Sequence, residues 1–500
     1  MTVGTGDGIQ PDCYVAIAGA VSQCRAHGAD CAVELAPGSY IVACPAVPRS
    51  SSAMIEGPAV ALDGLADFVL RGALGSPAPE LLVDYTNGGC GAIVARDSRN
   101  VTVQHLKIDA LRLPFTVGIV SAATPTAVSF QPEEDARDRP GVYVWDTARY
   151  PWLNGALIDS FVVPPGERAV RERASWGGTT ALHTSVVDNS TGLVQLHFAD
   201  ANPLRAQLRS GQRMYILHFE NMQSWGVHGH NVSAMRVLGV ALYSVSGMGY
   251  RCDLCTGRYS LLDSTIAIRP GSLRPLSITA DGIHFMHHSG PIEVRGCSVQ
   301  AQGDDGFNVH TNFVVLDDLK ADLPGSNRTV GYIDETGPGW LTAFEEHIIG
   351  DRVEFYSRRT LQKLGQNTIV AASVDRLSFA DPLPDGLKRY DMLLSLDRVA
   401  SVEIEDSFFG NSNARGLVLS TVNASIKGCT FANLSLPGVI FLEGGCGAIA
   451  GDYTEGPFSA NVTVSNNQFI STASVNSGFP NKITNAAQLQ IGACVPIGEC

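Results

Sequence analysis

Residues 280–310 read ADGIHFMHHSGPIEVRGCSVQAQGDDGFNVH, and this stretch decides the fold. Two motifs of similar design, Ala280-Asp-Gly-Ile-His-Phe and Gln302-Gly-Asp-Asp-Gly-Phe-Asn-Val-His, place Asp281 23 and 24 residues before Asp304 and Asp305. About 23 residues is the length of one coil in a β-solenoid, whose stacked strands lie ~4.8 Å apart. Equivalent positions on successive coils are then neighbours in space, and three carboxylates converge on one exposed patch. Acids a few ångströms apart shift one another's pKa values and are the usual equipment for glycoside hydrolysis.

Between the motifs runs Ile292-x-Val294-x-x-Cys297-x-Val299, one copy of a recurring pattern. Other copies are Val101-Val103-Leu106-Ile108, Tyr259-Leu261-Ser264-Ile266 and Val402-Ile404-Ser407-Phe409, then Ala424-Ile426-Cys429-Phe431 and Val462-Val464-Asn467-Phe469. Alternation marks a strand with one buried face, and the two-residue interruption marks a corner. A shared phase puts Cys297, Cys429 and Asn467 into inward ladders. Unrelated strands of a sandwich have no reason to keep one phase. Upstream, residues 12–28 predict a helix with Ile17, Ala20, Val21 and Cys24 on one stripe, Asp12 as N-cap and Gly28 as stop. A strand at Ala32–Leu35 and a turn at Ala36–Tyr40 follow. Such a helix suits a cap over the open end of a solenoid.

Residues 111–226 and 313–398 lack the pattern but hold β-rich runs such as Arg213–Leu217 and Asp351–Phe355. Structureless loops of that length are exceptional, so each gap predicts an inserted β domain. The expected fold is all-β: a right-handed parallel β-helix (solenoid) with an N-terminal capping helix and two inserted β-barrel-like domains. The expected order is a cap and first coils (1–110), insertion one (111–226), coils carrying the acids (227–312), insertion two (313–398) and the last coils with the tail (399–500).

Five hundred residues exceed one simple core unless it grows along an axis, and 52 glycines with 17% charged residues suit short strands and tight turns. A net charge of −14 argues against nucleic acid, and no window approaches the ~20 apolar residues of a membrane span. Twelve cysteines, with Cys13, Cys24, Cys31 and Cys44 early and Cys494 and Cys500 late, read as disulfide staples. Cys252-x-x-Cys255 lacks the second ligand pair of a zinc site. Seven Asn-x-Ser/Thr sequons, at Asn100, Asn189, Asn231, Asn327, Asn423, Asn433 and Asn461, are compatible with a secreted glycoprotein, although solenoid strands also generate such triplets. Met1–Gly4 shows no leader, so the expectation is a secreted protein whose leader has been removed.

The opening Gly-Asp-Gly-x-x-Pro-Asp with its helix and Ala36-Pro-Gly-Ser-Tyr turn resembles the start of pectin-lyase-like β-helices. The block from Ala280 to His310 resembles the bacterial α-1,3-galactosidases of glycoside hydrolase family 110, which release terminal galactose with inversion. Leu113-Pro-Phe-Thr, Gly247-Met-Gly-Tyr, Asn413-Ala-Arg-Gly-Leu and Val439-Ile-Phe-Leu-Glu-Gly fit the same family in order. The segment Cys446–Gly456 departs from it, with Tyr453 as its one aromatic where an aromatic-rich loop is expected.

Inversion needs a protonated acid for the leaving oxygen and a carboxylate for water, ~6.5–9.5 Å apart. In an extended strand Asp304 and Asp305 would face opposite sides, but Gly303 and Gly306 let the backbone turn so that both are exposed. The resemblance implies Asp304 as acid, with Asp281 and Asp305 handling the water. His284, Asn308 and His310 lie close in sequence and could bind sugar hydroxyls, while Arg415 and Glu443, in matched segments, could reach the same groove. Such chemistry calls for no metal or other cofactor. His228-Gly-His230 has the composition of a polygalacturonase motif but precedes the acids instead of following them. The expected activity is an inverting exo-glycosidase on galactose-containing oligosaccharides or polysaccharides, with a homo-oligomer possible. Rival readings are another β-helix hydrolase or lyase and a non-catalytic carbohydrate-binding solenoid.

Overall fold

The computed structural model describes residues 2–3, 9–10, 13–45, 57–85, 89–133, 157–163, 180–188, 190–198, 201, 206, 208–218, 224–317, 328–333, 349–373, 376–441, 455–472 and 489–491. Apolar residues at one phase stack coil upon coil into three parallel sheets, here A, B and C. In sheet A one column runs Val101, Met235, Tyr259, Ile292, Val402, Ala424, Val462. In sheet B the matching column is Ile108, Leu242, Ile266, Val299, Phe409, Phe431, Phe469. Its last three rings stack, with centroids 5.7 and 5.0 Å apart. The recurring pattern is therefore the coil itself, a parallel β-helix.

The corner between sheets A and B explains the small or polar position of the pattern. A chain turning there cannot give every N–H a ladder partner, and buried N–H groups need one. Side chains supply it: Ser264 Oγ accepts from Val240 N, Ser407 Oγ from Cys297 N and Asn467 Oδ1 from Cys429 N, and at the corner between sheets C and A Ser98 Oγ accepts likewise from Leu65 N. Cys297 and Cys429 are buried thiols in that column, as the sequence predicts.

Five of the seven sequon asparagines, Asn100, Asn231, Asn423, Asn433 and Asn461, have φ between 50° and 70°. Asparagine tolerates this left-handed region, which a tight corner requires. Four donate their side-chain amide along the stack: Asn100 to Asp67, Asn231 to Asp97, Asn433 to Asn411 and Asn461 to Asn423. These triplets have a structural cause in the corners. Asn189 and Asn327 lie outside the described residues.

The helix spans Tyr14–His27 and buries Ile17, Ala20, Val21 and Cys24, while Gly28 ends it at φ 99°. Asp12, expected as its cap, lies outside the described residues, and Cys13 holds the cap position without a side-chain capping hydrogen bond. Disulfides join Cys24 to Cys31, Cys44 to Cys90 and Cys252 to Cys255. The last is what the Cys-x-x-Cys pair forms; Cys494 and Cys500 lie outside the described residues.

Two closed six-stranded antiparallel barrels interrupt the stack, one built from strands between Phe115 and His218, the other from strands between Val314 and Ser395. In each, the first and last strands are hydrogen-bonded neighbours: Phe115 pairs with Leu217, and Val314 with Leu393. The ladder closes behind both, Arg99–Gln104 pairing with Ser233–Leu238 and Gly290–Arg295 with Ala400–Glu405.

One connection bears directly on the acids. Residues 267–280 lead from sheet B to Asp281, and Arg274 within them is fully buried. Its guanidinium grips the equally buried Asp109 at 2.7 and 3.1 Å, and Arg269 reaches the same carboxylate at 2.7 Å. Leu276 packs with Leu113, Phe115, Val117, Tyr215 and Leu217 at the foot of the first barrel. The segment is thus pinned to a coil and to a barrel just before it delivers Asp281.

Candidate active site

Sheet C carries the site on its outward side. Ile283, Phe307 and Leu417 stack inward, so the alternate residues His284 and Asn308 point the other way, in register with Arg251 and His228. Asp281 and Asp305 stand at the starts of two such strands. One carboxylate oxygen from each of Asp281, Asp304 and Asp305 lies within 4.8 Å of the others. The one-coil offset read from the sequence does bring the three acids together.

They are not equally exposed, and this corrects the expectation of a wholly exposed patch. Asp304 is exposed, whereas Asp281 is 6% and Asp305 2% accessible. The pair lies in a bend just before strand Phe307–Asn312: Asp304 faces out, and Asp305 tucks against Arg415 in a two-pronged ion pair, Nε to Oδ1 at 2.7 Å and Nη2 to Oδ2 at 2.6 Å. The backbone does bend at both flanking glycines, which also serve close approach. A Cβ on Gly303 would lie 2.3 Å from Thr279 O, and one on Gly306 2.5 Å from Gly416 O.

Asp281 accepts the Asp305 N–H at 3.2 Å through Oδ1, and its Oδ2 lies 2.6 Å from His284 Nδ1. Burial, then the neighbouring Asp305 charge, pushes its carboxyl up to about 8. His284 Nε2 is 3.2 Å from His310 Nε2. Burial, then Arg251, lowers His284 to about 4, and burial lowers His310. Asn308 is buried, and its Oδ1 has no hydrogen-bond partner among the described residues. Of the expected sugar contacts, His284, Asn308, His310 and Arg415 gather here, and Glu443 lies outside the described residues, as does Tyr453.

Four site residues escape the sequence reading, and a fifth, His228, is set aside by it. Glu455 arrives on a short strand antiparallel to Thr311–Asn312 and sits 3.9 Å from His310 Nε2. Arg251 and Asp253, one coil before the acids, form a buried ion pair at 2.7 Å. Trp225 supplies a face for Arg251, whose guanidinium carbon lies 4.8 Å from the ring centroid. His228, discounted as a motif, bonds Asp253 at 3.0 Å. Burial opposes the charge on Asp253, but Arg251 and His228 outweigh it and hold the carboxyl well below its usual range.

Two of these groupings have the spacing to hold a cation: the three acids, and His228 with His230 and Asp253. In each a guanidinium already balances the carboxylate, Arg415 on Asp305 and Arg251 on Asp253. Chemically the site offers an exposed acid beside two buried ones, with neutral imidazoles and an amide around them. That set can donate a proton on one side and orient a water on the other.

No family model matches the chain. It is similar to the protein named alpha-1,3-galactosidase A from Akkermansia muciniphila, 28% identical over 237 residues, which are 46% of this chain and 37% of that one. It is also similar to alpha-1,3-galactosidase B from Phocaeicola vulgatus (26%, covering 49% and 41%) and from Bacteroides thetaiotaomicron (23%, covering 65% and 52%). The matched stretches span roughly a third to a half of these relatives' length. Among solved structures, a family 28 exopolygalacturonase of Yersinia enterocolitica matches at TM-score 0.36 and 11% identity, covering 98% and 68%. The mannuronan C-5 epimerase A-module of Azotobacter vinelandii matches at 0.33 and 11%, covering 98% and 95%. The strand ladders above, and not these scores, establish the fold.

Proposed function

We propose that this chain, a relative of the α-1,3-galactosidases, is an inverting exo-glycosidase that removes terminal α-1,3-linked galactose from glycans. The observation that carries the reading is the convergence of Asp281, Asp304 and Asp305 on the outward side of sheet C. The relatives' names supply the sugar and the linkage; the carboxylates supply hydrolysis.

Asp304, exposed, is the general acid that meets the leaving oxygen, and the Asp281–Asp305 unit orients the attacking water. Direct displacement needs the acid and base ~6.5–9.5 Å apart, wider than the 4.8 Å limit on the nearest oxygens here. Asp304 is exposed, and its rotation outward into solvent would widen the gap and admit the water. His284, Asn308 and His310 line the floor beneath the sugar. The three disulfides support an oxidising compartment and hence secretion.

Proton NMR of the anomeric region during early hydrolysis of an α-1,3-digalactoside tests the mechanism. β-Galactose should appear first. If α-galactose comes first, the acids work at ~5 Å through a covalent intermediate and the roles above are wrong.

A further inference from the structure

The hydrogen bonds of the site have a direction, and the direction decides which acid holds a proton. His310 Nδ1 faces the Thr311 carbonyl at 3.3 Å and Asn312 Oδ1 at 3.0 Å. A backbone carbonyl only accepts, so Nδ1 carries the hydrogen and Nε2 of the neutral ring is an acceptor. Its partner at 3.2 Å, His284 Nε2, must then donate, which leaves His284 Nδ1 as a lone pair. That lone pair lies 2.6 Å from Asp281 Oδ2. Two acceptors do not sit so close without a proton between them. Burial and the facing Arg251 oppose an imidazolium at His284, while burial and Asp305 favour a neutral Asp281. The proton therefore belongs to the carboxyl.

Resting on the galactosidase reading, we propose that Asp281 works protonated and that Asp305 is the base that takes the proton of the attacking water, with His284 and His310 as positioning residues that hold the Asp281 proton in place. Arg415 does not block this. Its side-chain Nε and backbone N–H fill Oδ1 of Asp305, but among the described residues Oδ2 accepts only Nη2 and keeps a second lone pair for water. In the step, the water oxygen bonds to the anomeric carbon as the glycosidic bond breaks. The leaving oxygen takes the Asp304 proton, the water proton passes to Asp305 Oδ2, and the Asp281 hydrogen stays on its bond to His284. Solvent then reloads Asp304 and unloads Asp305.

An asparagine mimics a protonated aspartic acid at this position, its amide donating to His284 Nδ1 and its oxygen accepting the Asp305 N–H. Asp281→Asn should thus lose about tenfold or less in kcat/KM, whereas Asp305→Asn should lose ~10²–10⁴-fold. Equal, large losses in both, with melting temperatures unchanged, would overturn the assignment. In the wild type, ionisation of Asp281 should add a fall in kcat/KM as pH rises through about 8, separable from that of the acid Asp304 by its absence in Asp281→Asn, the groups facing Asp281 being Asp304, Asp305, Arg415, His284 and Glu455. His310→Phe releases the His284 tautomer, lets Nδ1 donate to an ionised Asp281, and should move that alkaline limb to lower pH. An unmoved limb refutes the positioning role. Infrared difference spectra need no substrate: at pH 6 wild type and Asp304→Asn should both show the carbonyl band of a protonated carboxylic acid, and adding Asp281→Asn to Asp304→Asn should remove it. Its absence from Asp304→Asn overturns the inference even if the wild type releases galactose. Its presence there, with a wild type that cleaves no galactoside, would instead remove the functional reading.

Discussion

Replacing either partner of the Arg274–Asp109 pair should unfold more than a local contact, and the two replacements should differ. Both side chains are wholly buried, so breaking the pair strands a charge out of water, which costs ~3–5 kcal/mol. Arg274→Met strands Asp109, but that carboxylate keeps Arg269 at 2.7 Å and the Ala110 N–H at 2.9 Å, placing the loss near ~3 kcal/mol. Asp109→Leu removes the carboxylate shared by two guanidiniums and should cost nearer ~5 kcal/mol. The double substitution removes the stranded Arg274 and leaves Arg269 its pairing with Glu80, so it should be more stable than Asp109→Leu alone. Urea unfolding of the four proteins gives the cycle from the midpoints at constant slope. Since residues 267–280 deliver Asp281, kcat/KM should fall in both single variants under conditions where they remain folded. A double variant no better than Asp109→Leu, or an Arg274→Met cost under ~1 kcal/mol, would show that this pair does not pin the segment.

Asp304→Asn should lose ~10²–10⁴-fold in turnover of an unactivated disaccharide while changing unfolding free energy by only ~0.5 kcal/mol, because the side chain is exposed; near-normal turnover would remove it as the acid. EDTA should leave activity unchanged; loss that Ca²⁺ restores would turn the acids into an ion site. Asp281 also sets a sign on stability. Its folded value of about 8 exceeds the ordinary 3.8, so its contribution is complete at low pH and is lost as pH rises through about 8. Unfolding free energies at pH 4.5 and 8.5 should therefore differ less in Asp281→Asn than in the wild type, and an undiminished difference contradicts the raised value.

The coil was legible because the interior admits only apolar residues at fixed phase, so Val103, Val237, Leu261, Val294, Ile404, Ile426 and Val464 form one column that the sequence repeats openly. The acids were legible because His284 and Asn308 are one coil of 24 residues apart in register. Arg251 was not, because the coil from it to His284 takes 33 residues and breaks the period. Glu455 returns antiparallel to the ladder, where a coil-by-coil offset has no meaning. The burial of Asp305 was missed because the glycines beside it were given a conformational role alone, when carbonyl oxygens from neighbouring coils also occupy the space a Cβ would need. Arg415 was placed by the resemblance, but its grip on Asp305 depends on a ladder that resumes 110 residues later, beyond a barrel.

The pairing of first and last strands in each barrel bears on how the chain is assembled. Strand Phe307–Asn312 finds its next parallel partner only at Leu417–Leu419, so during synthesis at ~5–20 residues per second its open edge waits roughly 5–20 s. Long closures also carry an entropic cost that rises with the logarithm of their length. A barrel that folds while the ribosome is still downstream cancels most of that cost. Once Val314 pairs with Leu393, the outgoing and returning chains are one strand spacing apart, ~4.8 Å, which is also the rise from one coil to the next. Each insertion thus acts as a splint, handing the returning chain to the waiting edge at the right height, and a barrel that folds late leaves an adhesive edge bare.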